Sequence, residues 1–360
     1  MRKLSIFFTG ITLLFFTVSL SLSALDSSQK RLGIATYSVK GLESDIEGSF
    51  GALADAGYKT VEISNYNAGN GTVAGYKPAD YAAVAKKYGL EIISSHARAK
   101  FDVKDVEGTL AAWGKLFDDH KTMGCKYVVF PMNMWSPSVE TLKAECNLMN
   151  GIGEEANKRG IKFGYHNHSF EFANVAGTDQ TFEDFLINNT DPGKVFFQMD
   201  VYWVTVGGKD PVAYLQKYPD RFKVLHIKDD YVIGESGTID FKAIFEQFYN
   251  NGYQDWFVEM EAKMTPEQKA QSMAMMEMMK QRLSQGGGNA QPGPQAGQGQ
   301  AGAPSRGNAP GQGGQARQGA GQSPQGFGQR DPKVIAEQLQ TSLEGIRQSA
   351  EFLMKSDFVR

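Results

Sequence analysis

Residues 125–168 read CKYVVFPMNMWSPSVETLKAECNLMNGIGEEANKRGIKFGYHNH and contain the repeating unit that decides the fold. CKYVVFPMN (125–133) is rich in apolar, β-branched and aromatic side chains, which favour a strand. SVETLKAECNLMNGIGEEANKRG (138–160) is predicted to be a long helix that ends at Gly160, and IKFGYHNH (161–168) is predicted to be the next strand. A strand, a helix and a second strand in this order predict a parallel β–α–β unit.

The same unit repeats from residue 32 onwards. Several of the predicted strands are almost entirely apolar, which is typical of a parallel sheet covered by helices. The eight predicted strands are RLGIATYSV, YKTVEIS, LEIISSHA, CKYVVFPMN, IKFGYHNH, KVFFQMDVYW, RFKVLHIKD and DWFVEME. This strict alternation predicts an α/β protein of the (β/α)₈ class, a TIM barrel. A doubly wound open sheet is the alternative, but YSVKGLESD lacks the glycine-rich first turn that is typical of that fold.

The last quarter of the chain interrupts the alternation. Residues 264–283 are predicted to form a Met-rich helix with Thr265 as its N-cap and Gln268 three residues later, and its six methionines to form a soft apolar face. Residues 284–330 are almost only Gly, Gln, Ala, Pro, Ser, Asn and Arg, a composition that predicts a disordered insertion. Residues 331–355 then supply the missing eighth helix, so that the catalytic barrel comprises residues 32–263 plus 331–355.

The N-terminal residues 1–24 have the pattern of a cleavable signal peptide, with a basic start, an apolar run and small residues at the end. A periplasmic or secreted protein with no stable membrane span after cleavage is therefore expected, and a retained membrane anchor is the alternative. Loss of this segment changes the formal net charge from −3 to −5, because Arg2 and Lys3 are its only charged residues. This charge gives no indication of a nucleic-acid partner. Cys125 and Cys146 are expected to remain unpaired and buried.

Polar side chains are concentrated where the predicted strands end. Active sites of (β/α)₈ barrels lie at the C-terminal ends of the strands, and four of the five histidines fall there. His166 and His168 are two residues apart on one strand, so both are expected on the same face. His120 belongs to a helix end and is expected on the solvated surface. The polar residues at strand ends are Glu62, His96, His166, His168, Asp200, His226, Lys228, Asp229, Glu259 and Glu261.

Several buried histidines and carboxylates at one rim need partners, because unpaired buried charges are costly. Imidazole and carboxylate groups together suit a divalent ion such as Mn, Co, Mg or Zn. A purely structural polar network is the alternative interpretation.

The motifs VEIS, SSHA, YHNH, QMDVYW, VLHIKD followed by GESGTIDF, and WFVEMEA resemble the xylose-isomerase-like TIM-barrel superfamily of sugar isomerases, epimerases and dehydratases. The resemblance covers residues 32–263 and the last helix, and it extends to secreted bacterial members labelled sugar phosphate isomerase/epimerase. It implies one divalent metal ion held by His166, Asp200, His226 and Glu259. Many epimerases of the family have a glutamate acid/base at the place of His166, and a histidine there resembles inosose dehydratases and related enzymes of keto sugars.

The resemblance also implies the chemistry: removal of a proton α to a carbonyl, with a metal-stabilised enediolate. A metal-dependent isomerase or epimerase of a non-phosphorylated keto sugar is expected, and oligomers are possible. The alternative is a lyase or dehydratase that eliminates a β-substituent from a 3-keto sugar or keto-glycoside. A non-catalytic sugar-binding protein remains a further possibility, whereas an abasic-site endonuclease would need more histidines and less negative charge.

Each rim residue is assigned a candidate role in this chemistry. His168 and Glu259 are the candidate base or acid, and His96 and Lys228 are candidates for orienting substrate or transferring protons. Candidate substrate-binding residues are Glu62, Trp203 and Asp229. An ion pair with Asp229 is the alternative role for Lys228.

Overall fold

The computed structural model describes residues 30–284 and 331–360. The predicted signal peptide (1–24) lies outside the described residues, and so does the low-complexity tract apart from Ser284. Residues 285–330 follow the Met-rich helix and precede the last helix, so that the tract is inserted between the eighth strand and the final helix, as predicted, with the Met-rich helix before it.

Eight parallel strands form a closed barrel, which confirms the predicted TIM barrel. The neighbouring order around the barrel is β1–β8–β7–β6–β5–β4–β3–β2, and it closes on β1. The strands are β1 Leu32–Ala35, β2 Tyr58–Ile63, β3 Glu91–His96, β4 Tyr127–Phe130, β5 Lys162–His166, β6 Val195–Asp200, β7 Phe222–Ile227 and β8 Asp255–Val258. A short antiparallel hairpin, Tyr66–Asn67 with Thr72–Val73, lies in the loop after β2.

Ten α-helices of the described chain surround or cap the barrel. They are α1 Ile46–Asp55, α2 Pro78–Lys87, α3 Val106–Met123, α4 Val139–Asn157, α5 Phe182–Asn189, α6 Val201–Val206, α7 Pro211–Lys217, α8 Phe241–Asn250, α9 Pro266–Ser284 and α10 Pro332–Lys355. The predicted capping box of α9 is present, because the backbone N of Thr265 donates to Gln268 Oε1 at 2.9 Å and the backbone N of Gln268 to Thr265 Oγ1 at 3.3 Å.

The sixth strand is shorter than predicted. QMDVYW was expected to be strand throughout, but β6 ends at Asp200 and α6 begins at Val201. The Asp200 side chain is the reason, because its Oδ1 accepts a hydrogen bond from the backbone N of Trp203 at 3.0 Å and caps α6. Trp203 therefore lies on the first turn of a helix that begins at the rim of the barrel.

The apolar residues form two packed sets. The larger set lies between the barrel and its helices; Gly153 of α4 is one point of close approach, because a Cβ there would lie 2.1 Å from the carbonyl O of Lys194. The smaller set fills the barrel interior and consists of Ala35, Ile93, Val129, Phe196, Val224 and Phe257. Phe196 and Val224 precede Gln198 and His226 by two residues, so each pair shares a face of its strand. The apolar layer thus lies directly beneath the polar rim.

The structure corrects the surface position expected for His120. This side chain is fully buried, its Nδ1 lies 2.7 Å from the Leu116 carbonyl O, and its Nε2 lies 2.9 Å from Ser95 Oγ. Cys125 and Cys146 are buried and unpaired, as expected. Within 30–284 and 331–360, no helix combines the length and apolar character that a bilayer span requires.

Candidate metal centre

The four candidate metal ligands meet at the C-terminal end of the barrel. His166 ends β5, Asp200 ends β6, His226 lies on β7, and Glu259 directly follows β8. One potential ligand atom from each of these side chains lies within 4.8 Å of the others, and all four residues are buried. Four consecutive strands therefore deliver two imidazoles and two carboxylates to one point.

One pair of facing atoms has the spacing of a coordination sphere, and the other pair is wider. His226 Nδ1 lies 3.0 Å from Glu259 Oε2, and His166 Nε2 lies 3.9 Å from Asp200 Oδ2. Metal–ligand bonds of about 2.1 Å place neighbouring ligand atoms roughly 3.0–3.4 Å apart. Within the described residues, Asp200 Oδ2 is buried without a hydrogen-bond partner, and His226 Nδ1 has only its contact with Glu259 Oε2. A buried carboxylate oxygen without a partner is costly unless it coordinates something, so this donor set fits a divalent cation.

The pKa values of the titratable groups in the cluster are shifted far from their usual values. Burial raises the pKa of Asp200 to about 7, against the opposing charge of Lys228. Burial disfavours protonation of His226, but the carboxylates of Glu62 and Glu259 outweigh it and raise the pKa of His226 to about 10. Although burial favours neutral Glu259, Lys228 and His226 hold the pKa of this carboxyl well below its usual range. A bound cation would favour ionised Asp200 and neutral His226, the forms that coordinate metals.

Two buried side chains hold the imidazoles of the candidate ligands His166 and His226. Glu62 Oε1 lies 2.6 Å from His226 Nε2, and Gln198 Oε1 lies 3.0 Å from His166 Nδ1. Gln198 Nε2 donates to Glu62 Oε2 at 2.8 Å, so that the two supports form one network. Since one nitrogen of each imidazole is held in this way, the other nitrogen faces the cluster.

Glu62, a predicted substrate-binding residue, lies in the network that holds the candidate ligands, and its contact with a substrate hydroxyl stays a prediction. The side chain is fully buried, and its carboxylate also accepts a hydrogen bond from Ser94 Oγ at 2.7 Å and lies 3.2 Å from His96 Nε2. Burial favours its neutral form, but His96 and His226 lower the pKa of Glu62 below its usual value. Glu62 is thus an ionised support for a ligand, with its acceptors already used.

His96 belongs to the same supporting network. Its Nε2 lies 2.6 Å from Gln198 Oε1, and its ring stacks on that of His226 with centroids 4.8 Å apart. Burial lowers the pKa of His96, which keeps the imidazole neutral. The side chain is 9% exposed, so that it offers little surface to a substrate.

His168 offers an unpaired nitrogen beside the cluster. Its ring centroid lies 5.0 Å from that of His166 and 5.8 Å from that of Trp203, and its Nδ1 is buried without a hydrogen-bond partner in the described chain. Burial, assisted by the charge of Lys228, lowers the pKa of His168 to about 4. The imidazole is therefore neutral at pH 7 and can accept a proton.

Lys228 is a buried cation, although not in the predicted pair with Asp229. Its Nζ donates to Glu259 Oε1 at 2.8 Å and to Glu261 Oε1 at 2.7 Å, and it lies 5.0 Å from the Trp203 ring centroid. Burial disfavours the ammonium form, but the two carboxylates raise the pKa of Lys228 well above its usual value. The cation is fixed beside Glu259 and the wall formed by Trp203.

Asp229, a predicted substrate-binding residue, holds a loop, and its contact with substrate stays a prediction. The carboxylate accepts hydrogen bonds from the backbone N of Gly234 at 3.0 Å and of Ser236 at 3.4 Å. Asp229 is buried, and through these contacts it shapes the GESGTIDF segment that follows β7.

Three residues of the site were missed by sequence reasoning. Gln198 precedes Asp200 by two residues on β6, so strand alternation could have placed it on the same face. Tyr165 and Glu171 form a clamp: Glu171 Oε1 accepts from Tyr165 Oη at 2.5 Å, and Oε2 accepts from the backbone N of His168 at 2.8 Å. This clamp holds the loop that carries His168. No local sequence pattern predicts it.

Comparison with known proteins agrees with this geometry. The family model described as xylose isomerase-like TIM barrel matches residues 50–282. The inosose dehydratase of Lacticaseibacillus casei is 27% identical over 266 residues, which cover 63% of this chain and 85% of that protein.

Solved structures show the same similarity. A sugar phosphate isomerase/epimerase from Parabacteroides distasonis is 27% identical with a TM-score of 0.67, and the match covers 92% of this chain and 98% of that one. An L-ribulose 3-epimerase shares the fold with a TM-score of 0.52 at 16% identity, over 70% of this chain and 91% of that one. The chain therefore belongs to the xylose isomerase-like TIM-barrel family.

Proposed function

We propose that this protein is a metal-dependent lyase or dehydratase that removes a proton α to the carbonyl of a non-phosphorylated keto sugar and expels a β-substituent. The observation that carries the proposal is the convergence of two imidazoles and two carboxylates next to His168, whose Nδ1 has no hydrogen-bond partner in the described chain. Dehydratase relatives, which are 25–28% identical, support the same class of reaction.

His166, Asp200, His226 and Glu259 would hold the ion, because one donor atom from each lies within 4.8 Å of the others and imidazole with carboxylate is the donor chemistry of a divalent site. Such an ion supplies Lewis-acid stabilisation for negative charge that develops on the substrate oxygen. Lys228 adds a fixed positive charge at the same rim, because Glu259 and Glu261 hold its ammonium group in place.

His168 is the proposed base. Its imidazole takes the proton from the carbon next to the carbonyl, and the electrons of that C–H bond form the enolate. When the enolate collapses, the bond from the β-carbon to its oxygen substituent breaks, and the departing oxygen receives the proton from His168. The products are an unsaturated ketone and the released alcohol or water, so that no external oxidant or reductant is required.

The surroundings of His166 argue against a two-base epimerase. Its Nδ1 is bound to Gln198, and its Nε2 faces Asp200 and the ion site, so neither nitrogen is free to exchange a proton with substrate. An epimerase that uses a glutamate in this place has a base on each side of the substrate carbon. Because both nitrogens of His166 are occupied, proton transfer through His168 on one face of the substrate is favoured, as in a syn elimination.

A sugar isomerase is the second candidate, because a single base can also return the proton to the neighbouring carbon on the same face. The similarity to solved structures named sugar phosphate isomerase/epimerase favours it. A phosphorylated substrate is disfavoured because Lys228 and Lys269 near Trp203 already pair with carboxylates. The expected export of the chain, proposed from residues 1–24, also favours a free sugar.

Incubation of the metal-loaded protein with a methyl 3-keto-glucoside in deuterium oxide tests the proposal. We expect deuterium exchange at the carbon next to the ketone, together with released methanol and an unsaturated ketone. Exchange with conservation of mass would identify the isomerase instead. Absence of exchange with Mn, Co, Mg and Zn alike would refute both candidates.

A further inference from the structure

Helix α9 lies against the rim of the barrel with one side of the helix. Lys269, Ser272, Met273, Met276 and Met279 are half-buried, and their spacing of three and four residues defines one helical face. Met275 and Met278 are exposed, at 40% and 53%. The expected apolar face is therefore formed by only some of the methionines, and that face points toward the strand ends.

The helix spans the part of the rim that carries the candidate base. Lys269 Nζ forms a 2.7 Å ion pair with Asp230 Oδ2 in the loop after β7. Farther along, α9 packs against the turn Phe170–Phe172, which begins two residues after His168. It therefore crosses from the end of β7 to the end of β5, over the Trp203 side chain.

A narrow pocket separates α9 from the barrel. Its lining includes Tyr202, Trp203, Lys228, Met264, Ser272 and Met273. The charged groups of this pocket are already paired, since Lys228 binds Glu259 and Glu261, Lys269 binds Asp230, and Asp229 binds backbone N–H groups. The uncharged part of the lining consists of the Tyr202 and Trp203 rings, the Met264 and Met273 thioethers and Ser272. The indole N–H of Trp203 is buried and has no hydrogen-bond partner in the described chain.

We propose that α9 forms a subsite for an apolar aglycone, so that the natural substrate is a keto-glycoside with an apolar leaving group. This inference rests on the proposed function, because the aglycone is the group that the elimination releases. Methionine side chains are flexible and polarisable, and they can rotate to widen a narrow pocket around an alkyl or aryl group.

The test compares phenyl and methyl 3-keto-glucosides as substrates. The wild type is expected to have a higher kcat/KM for the phenyl compound, and Met273→Ser to reduce that preference about 5- to 20-fold. Met278→Ser is the matched control, because it makes the same change on the same helix at an exposed position, and it should retain the wild-type preference. A wild type without preference, or equal effects of the two substitutions, would overturn the subsite.

Calorimetric binding of unoxidised phenyl glucoside separates the subsite from the chemistry, because this ligand carries no ketone. Weaker binding to Met273→Ser than to Met278→Ser supports the subsite even if neither keto-glucoside is converted, in which case only the proposed function fails. Equal binding to both variants refutes the subsite even if the methyl keto-glucoside is converted.

Discussion

Replacement of Glu62 by glutamine removes a negative charge from beneath the candidate metal ligands while it preserves the size of the side chain. The carboxylate accepts hydrogen bonds on both oxygens, from His226 and from Ser94 and Gln198. A glutamine amide can keep the oxygen that faces His226, but its NH₂ group then meets the donor NH₂ of Gln198. Gln198 cannot simply turn over, because its own oxygen is held by His96 and His166.

The expected loss follows from these contacts. One hydrogen bond to a charged group, worth about 1.5–3 kcal/mol, is weakened or replaced by a donor–donor contact. Loss of a carboxylate that orients a metal-ligating histidine lowers metal affinity about 10- to 100-fold, or roughly 1.4–2.7 kcal/mol. The free energy of the weakened hydrogen bond and the free energy of the expected affinity loss are similar in size. We therefore expect Glu62→Gln to bind Mn²⁺ or Zn²⁺ at least about tenfold more weakly than the wild type.

Calorimetric titration of the chelator-treated protein at pH 7 measures this change. Glu171→Gln is the matched control, because Glu171 is also a fully buried glutamate but contacts Tyr165 and the backbone of His168 instead of a ligand. Its metal affinity should stay within about twofold of wild type. If Glu62→Gln is folded and also binds metal within twofold of wild type, the supporting role of Glu62 is refuted.

Three further predictions address the base, the pH response and the core. His168→Ala should slow deuterium exchange into the keto sugar about 10²- to 10⁴-fold with unchanged metal content, and a parallel loss of metal would contradict its role as base. Burial raises the pKa of Glu171 to about 8 from 4.5, so the folded state retains a proton that the unfolded chain releases. Stability from this group is thus complete below pH 4.5 and declines between pH 4.5 and 8, by up to about 5 kcal/mol; urea unfolding should show a smaller decline in Glu171→Gln. His120→Ala should lower the free energy of unfolding by about 2–4 kcal/mol while the folded variant retains its metal affinity, since it removes a buried ring and two hydrogen bonds; a loss below about 0.5 kcal/mol would contradict this account.

Local sequence pattern predicted the barrel because each β–α unit carries its own signal. Gly124, for example, ends α3 at a φ of 90°, a conformation that few residues other than glycine adopt. The start of α6 was missed because VYWV is as apolar as the strand before it. The N-cap bond of Asp200 decides that boundary, and it competes with a strand signal of equal strength.

His120 was misplaced because its immediate neighbours, FDDHKTMG, are polar. The periodicity of buried residues along the whole of α3 predicts the correct position, because His120 shares one buried face with Trp113, Leu116 and Phe117. A histidine satisfied by a helix carbonyl and a serine hydroxyl costs little to bury, and single-residue polarity does not reveal such partners.

The strand-end rule located the metal-ligand candidates, but it did not separate ligands from their supports. Glu62 and Asp229 lie at strand ends like Glu259, yet Glu62 binds other side chains and Asp229 binds backbone N–H groups. Their roles depend on which strands are neighbours and on exact depth in the barrel, and neither is a local property of the sequence. The clamp that Glu171 forms on the loop of His168 also depends on tertiary packing and is not a local property of the sequence.

Metal analysis of the purified protein tests the central claim most directly. The wild type, loaded with a divalent ion and then desalted, should retain about one equivalent per chain, whereas Asp200→Ala and His166→Ala should lose it and remain folded. A folded wild type that retains no ion, and whose unfolding temperature and deuterium-exchange activity do not respond to Mn, Co, Mg or Zn, would contradict the account.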